Sequence, residues 1–255
     1  MGEMSSSSEP TVTEQIFPYE VVERYRRQAR LVRRDLQNRG PDNWCRAEFD
    51  AARLVAVFSH LAIRPGYRLL TYLFRAGANG NGVVLAFAEG SDAHRVAAAV
   101  PAWMQMIRLP GEEDGAKSPM EAIDGDGSPL AYLSASLLLR EFREVGAVWH
   151  GIDWDVKSVC APTRAWLRGA GRGSKHNRRL AKIMGDLDWP SGPPPLEDLA
   201  PVVRIAGETV RVVSYTYSEL GGRHITRWTD AYARGNYVPS TEREQMASGP
   251  GEFVF

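Results

Sequence analysis

Residues 128–157 leave the chain few ways to fold. Ser128-Pro129 has the form of an N-cap followed by a proline at the first helical position, and Gly146 has the form of a stop. Between them Ala131, Ala135, Leu138, Phe142 and Val145 fall on one face. Leu130, Leu137 and Leu139 widen that face until Ser136, Arg140 and Arg143 are the clearly polar stripe. A helix this apolar is expected to be largely buried. Val148 to Val156 then alternates with period two and predicts a strand. Val148, His150, Ile152, Trp154 and Val156 would face one side, with Trp149, Gly151, Asp153, Asp155 and Lys157 on the other.

The rest of the chain is long enough to bury a core of its own around this unit. Of 255 residues, 44% are hydrophobic and 24% charged, which excludes a wholly disordered chain. Lys+Arg and Asp+Glu both number 31, so net charge names no partner and only its distribution can. Cys45 and Cys160 stand alone and far apart, which argues against a disulfide scaffold or a cysteine zinc cage and suits a reducing cytoplasm. No apolar run approaches the roughly 20 residues of a membrane span, and the Ser-rich start lacks the apolar core of a signal peptide. The expected organisation is a disordered tail over 1–16, a main α+β domain over 17–185 and a Pro-rich connector over 186–201. A β-meander extension over 202–255 would pack back on the main domain.

Within the main domain, Val22, Tyr25, Ala29, Val32 and Leu36 predict a helix over 19–39, and the pattern at 46–61 predicts a second. Tyr67–Phe74 and Val83–Ala88 read as strands joined by a turn at Asn79-Gly80-Asn81-Gly82. Gly90-Ser91 would cap a third helix reaching about Ile107, without the glycine-rich cradle of a phosphate-binding turn. The loop at 111–127 is acidic; its Asp124-Gly125-Asp126-Gly127 lacks the staggered ligands of a calcium loop. Val202–Tyr217, bent at Ala206-Gly207, and Arg223–Tyr232 after Gly221-Gly222 predict a three-stranded antiparallel meander.

Two charge asymmetries bear on function. The first helix carries Arg24, Arg26, Arg27, Arg30, Arg33, Arg34 and Arg39 against Glu20, Glu23 and Asp35. The basic segment at 157–182 holds Lys157, Arg164, Arg168, Arg172, Lys175, Arg178, Arg179 and Lys182, with no acid between Val156 and Gly185. Trp166 and His176 interleave flat rings among these cations. Lys and Arg bind phosphates and a ring can stack on an unpaired base, so 164–182 is a candidate nucleic-acid surface. The alternative is an exposed basic face turned toward the acidic loop at 112–126.

The other chemical candidate is Asp153, Asp155 and Lys157, which a strand would place on one face. Paired carboxylates at that spacing can hold Mg or Mn, and a lysine beside them can orient water or steady phosphate charge. Glu141 flanks the helix's apolar face, where burial would perturb it. The acid-x-lysine pair Asp155/Lys157 resembles the arrangement in PD-(D/E)xK nucleases. That resemblance implies metal-dependent cleavage of phosphodiesters, with Glu89 or Asp92 supplying the partner acid. No His-Glu-x-x-His, serine elbow, Walker loop or two-cysteine zinc spacing occurs.

The sequence therefore predicts a soluble cytoplasmic α+β protein. Its leading expected role is nucleic-acid binding or assembly through Arg164, Arg168, Arg172, Lys175, Arg178, Arg179 and Lys182. A metal-dependent phosphodiester hydrolase using Asp153, Asp155, Lys157 and Glu141, and an adaptor for an acidic protein partner, remain the alternatives.

Overall fold

The computed structural model describes residues 12–34, 36, 44–90, 115–170 and 174–250. In chain order these form β1 (Val12–Ile16), α1 (Tyr19–Arg34), β2 (Cys45–Ala47), α2 (Ala52–Val57) and β3 (Leu61–Ile63). The hairpin β4 (Tyr67–Ala76) and β5 (Asn79–Ala88) follows, then β6 (Ile123–Gly125) and α3 (Pro129–Arg143). After these come β7 (Ser158–Val159), α4 (Arg164–Leu167) and α5 (Lys175–Gly185). The chain ends with β8 (Val202–Ala206), β9 (Thr209–Ser218), β10 (Arg223–Ala233) and β11 (Ser240–Gly249). The architecture is α+β, with a C-terminal antiparallel meander.

Helix α3 is the centre of the fold. Ser128 Oγ accepts the Ala131 N–H at 3.2 Å, Pro129 fills the first turn, and every residue from Ala131 to Phe142 is buried. A side-chain cap satisfies one orphan N–H, and a proline there forfeits none. Around α3, one apolar core gathers Val22, Tyr25 and Ala29 of α1, Leu54 of α2, Leu73 and Val84 of the hairpin, and Val203 and Val212 of the meander. The meander thus shares its core with the helices. A second core lies under α5, where Leu180 and Met184 meet Leu196, Leu199, Tyr217 and Ile225.

The largest sheet has the order β1-β8-β9-β10-β11, with short β7 paired to β9 through Ser158–Tyr217 and Val159–Thr216. Strand β1 pairs with β8 from Val12–Ala206 to Ile16–Val202. Residues 12–16, expected in the disordered tail, are therefore an edge strand, because β8 offers an unpaired edge to them. The expected meander is present and gains a fourth strand, β11, whose polar sequence carries no apolar alternation.

Other expectations shift. The helix expected at 46–61 is the single short α2 flanked by β2 and β3. The hairpin turn lies at Gly77-Ala78, immediately upstream of the expected joint at Asn79–Gly82. Gly77 takes φ 57°, as the first position of a II′ turn requires. Asn79–Gly82 lies inside β5. Its Gly82 lets the strand approach the Val145 carbonyl and the Leu73 side chain where a Cβ would clash. The expected third helix lies outside the described residues. Among the described residues, no helix is long and apolar enough to cross a membrane.

Candidate functional site

The segment after α3 is not the expected strand. Gly146 turns the chain at φ 69°, and Trp149–Gly151 makes a 3-10 turn with Trp149 in the left-handed region at φ 55°. The next N–H groups find a side chain instead of a sheet partner. Glu144 accepts from the backbone of Asp153 at 3.1 Å, Trp154 at 2.8 Å and Asp155 at 3.0 Å. Three donors on one carboxylate fold residues 153–157 into a loop. The shared face of Asp153, Asp155 and Lys157 does not form.

That loop is locked to α1. Arg33, buried, donates Nε and Nη2 to Glu141 Oε2 at 3.0 and 2.7 Å, and Nη1 and Nη2 to Asp155 at 2.9 and 2.7 Å. Arg30 Nε reaches Asp155 Oδ1 at 3.2 Å. Trp154 Nε1 donates to Glu141 Oε1 at 2.8 Å. Burial works against the Arg33 charge, but Asp155 and Glu141 raise its pKa. Asp155 is held below the usual carboxylate range: burial opposes this, and the Arg33 hydrogen bonds and charge prevail. Burial raises Glu141, as expected for a shielded acid, against the opposing Arg33 charge. Asp153 is exposed and pairs with Lys157 Nζ. Among the described residues no three His, Cys, Asp or Glu side chains gather where they could hold a metal ion. Glu89 lies in the turn after β5 and Asp92 outside the described residues.

A second network went unread in the sequence. Arg26 is 1% exposed and donates Nη2 to the carbonyls of Trp154 at 2.7 Å and Lys157 at 2.8 Å, with its guanidinium 4.2 Å from the Trp154 ring centre. Arg140 lies 5.8 Å from that ring and 4.6 Å from Trp228, and Arg243 covers Trp228 at 4.7 Å. Cations and indoles thus alternate from α1 through α3 to β11. Arg140 is also ion-paired with buried Asp230 at 2.8 Å, and Asp230 accepts from Thr241 at 2.7 Å. Arg140 therefore does not belong to an outer stripe. Its signal was available: it stands on an almost wholly apolar helix, and Asp230 is the sole acid of β10.

The remaining cations open onto cavities beside α1. One, of about 420 Å³, is walled by Arg27, Arg30, Arg33 and Arg34 with Glu144 and Asp155. A second, of about 250 Å³, lies between α1, β7 and α5. Arg26, Arg30, Lys157 and Arg179 line it together with Glu23 and Asp155. Arg30 and Asp155 belong to both. Arg164 and Arg168 line a third groove with Arg24. Lys175, Arg178 and Lys182 are exposed on α5, whose inner face is Asn177, Leu180 and Met184; Arg172 lies outside the described residues.

Among the described residues, Arg27, Arg34, Lys175, Arg178, Arg179 and Lys182 have no acidic partner. The described acids of the acidic loop pair elsewhere. Glu121 pairs with Lys117, Asp124 with Arg64, and Asp126 with His60 at 2.7 Å. Comparison of the chain with protein-family models, with curated proteins and with solved structures gives no match.

Proposed function

We propose that this protein binds nucleic acid across the face of α1 and α5, as a cytoplasmic binding or assembly factor. The observation that carries this reading is the meeting of two separate basic segments. Arg26 and Arg30 of α1 and Arg179 of α5 line one cavity, and Arg30 continues into the next beside Arg27 and Arg34. The acids of the 112–126 loop that lie among the described residues, Glu121, Asp124 and Asp126, are engaged with Lys117, Arg64 and His60.

The chemistry supports phosphate over an acidic peptide. Arg27, Arg30 and Arg34 stand at steps of about 4.5 and 6 Å along the helix axis. Guanidinium forks there can address successive phosphates bidentately. The Tyr19 and His176 rings, stacked at 3.7 Å in the cavity lined by Arg26, Arg30 and Arg179, add flat apolar surface. Phosphate contacts of this kind give affinity without sequence readout, so binding should tolerate sequence.

The test is titration of single- and double-stranded oligonucleotides at increasing salt. Log affinity should fall linearly with log salt, by roughly 0.7 to 0.9 per phosphate contacted. Polyglutamate, matched in charge, should bind weakly. Equal affinity for polyglutamate would favour an acidic protein partner instead.

A further inference from the structure

The cavity between α1, β7 and α5 differs in kind from the open surface beside it. Its floor is formed by Val159, Cys160 and Leu180, all buried, so it ends in the interior and has room below the level of a strand crossing the surface for a terminal group or a free small molecule. We propose that this cavity is a site for a phosphate monoester carried on a nucleotide.

Arg26 supplies the strongest reason. Its side chain is almost wholly buried at the cavity wall, and while Nη2 serves two carbonyls, Nε–H has no acceptor. Nε itself is closed to the cavity, but the guanidinium has no carboxylate within ion-pair distance among the described residues; a buried charge without a counter-ion is costly, and an anion in the cavity would offset it. The lining charges agree. Arg26, Arg30, Lys157 and Arg179 stand against Glu23 and Asp155, an excess of two positive charges; Asp153, which pairs with Lys157, reduces the excess to one. A phosphate monoester carries about −1.5 to −2 at neutral pH, more than the single charge of an internal phosphodiester. The other wall is suited to the nucleoside. Tyr19 lies against His176, whose Nε2 is fixed by the Ala161 carbonyl at 2.8 Å, and Ile183 and Tyr217 add apolar surface.

The two sources of such a group are the phosphorylated end of a strand and a free mononucleotide. The first rests on the proposed nucleic-acid reading and the second does not. A short labelled oligonucleotide is prepared with 5′-phosphate, 3′-phosphate or hydroxyl ends. Its affinity is measured for the full chain, and the binding of free nucleoside monophosphates is measured alongside. One phosphorylated end should bind about tenfold or more tighter than the hydroxyl-ended strand. Arg179→Ala, an exposed rim change that should leave the fold intact, should abolish that preference. It should lower hydroxyl-ended affinity by only about threefold, as one lost phosphate contact would. Arg26→Met should do the same if it folds. Binding of mononucleotides alone, lost in Arg179→Ala, would support the pocket and remove the strand reading. Equal affinity for all three ends, with no mononucleotide binding, overturns the pocket proposal while leaving the open surface standing.

Discussion

Arg33 and Glu141, 108 residues apart, meet with Nη2 2.7 Å from Oε2, Glu141 wholly buried and Arg33 8% exposed where it walls the larger cavity. Through this pair the arginine-rich helix is fastened to the central helix. Because Arg33 also holds Asp155, the same contact fixes the loop between the two cavities. With that anchor in place Arg24, Arg27 and Arg34 lie at the surface and Arg30 is half-buried.

Removing Arg33 should therefore be severe. Arg33→Ala leaves the buried Glu141 charge uncompensated and should destabilise the protein by about 3–5 kcal/mol; Glu141→Ala should cost less, because Arg33 keeps its bonds to Asp155. Arg33→Met with Glu141→Leu should recover much of the Arg33→Ala loss, because no buried carboxylate is then left without its partner. Urea unfolding of the three variants checks this. A double variant no better than Arg33→Ala would deny the buried pair its central place.

Three substitutions on α3 test how its faces are used. Leu138→Ala and Phe142→Ala should each cost about 2–5 kcal/mol through lost burial and cavity formation. Arg140→Ala should cost a comparable 3–5 kcal/mol, since it strands buried Asp230. Thermal melts decide it: a loss for Arg140→Ala within the roughly 0.5 kcal/mol usual for surface sites would place that residue outside the core.

These residues also mark how far the sequence could be read. Helix α3, its Ser128 cap and the β8–β10 meander follow from local patterns, because capping and alternation act over a few residues. Arg140 was misread because its partner, Asp230, is 90 residues away, and helical periodicity does not reveal a charge satisfied from another element. The alternation at 148–156 misled for a similar reason: Glu144 captures the N–H groups a sheet would need. With that loop the expected acid pair came apart, Asp155 going to Arg33 and Arg30 and Asp153 to Lys157. The arginine surplus of α1 was visible in composition. Which arginines lie inside, Arg26 and Arg33, depended on tertiary contacts.

Acid should loosen the joint before α3. Burial works to raise the Asp126 carboxyl, but hydrogen bonds from Ser128 and His60 bring it down to about 2 from an ordinary 3.8. Its folded pKa is depressed, so its contribution to stability is present above about 3.8 and is lost as pH falls toward 2. The group is largely exposed, so the effect should be modest. Asp126→Asn should flatten the fall in urea midpoint between pH 4 and pH 2 relative to the parent. Parallel profiles would mean the carboxyl gives nothing to the fold.

The central claim concerns where the anion binds, and one comparison of charge variants addresses it directly. Arg27→Ala, Arg34→Ala and Arg179→Ala are combined in one chain. A control chain carries Arg204→Ala and Arg227→Ala, which remove the cations paired with Glu14 and Glu244 on the large sheet. Both are titrated with the same single-stranded oligonucleotide over a range of salt. The account predicts that the triple variant loses affinity by about 30-fold at low salt, with a slope shallower by about 2. The control should match the parent. Equal losses in the two chains, or an unchanged slope in the triple variant, would contradict a nucleic-acid surface on α1 and α5.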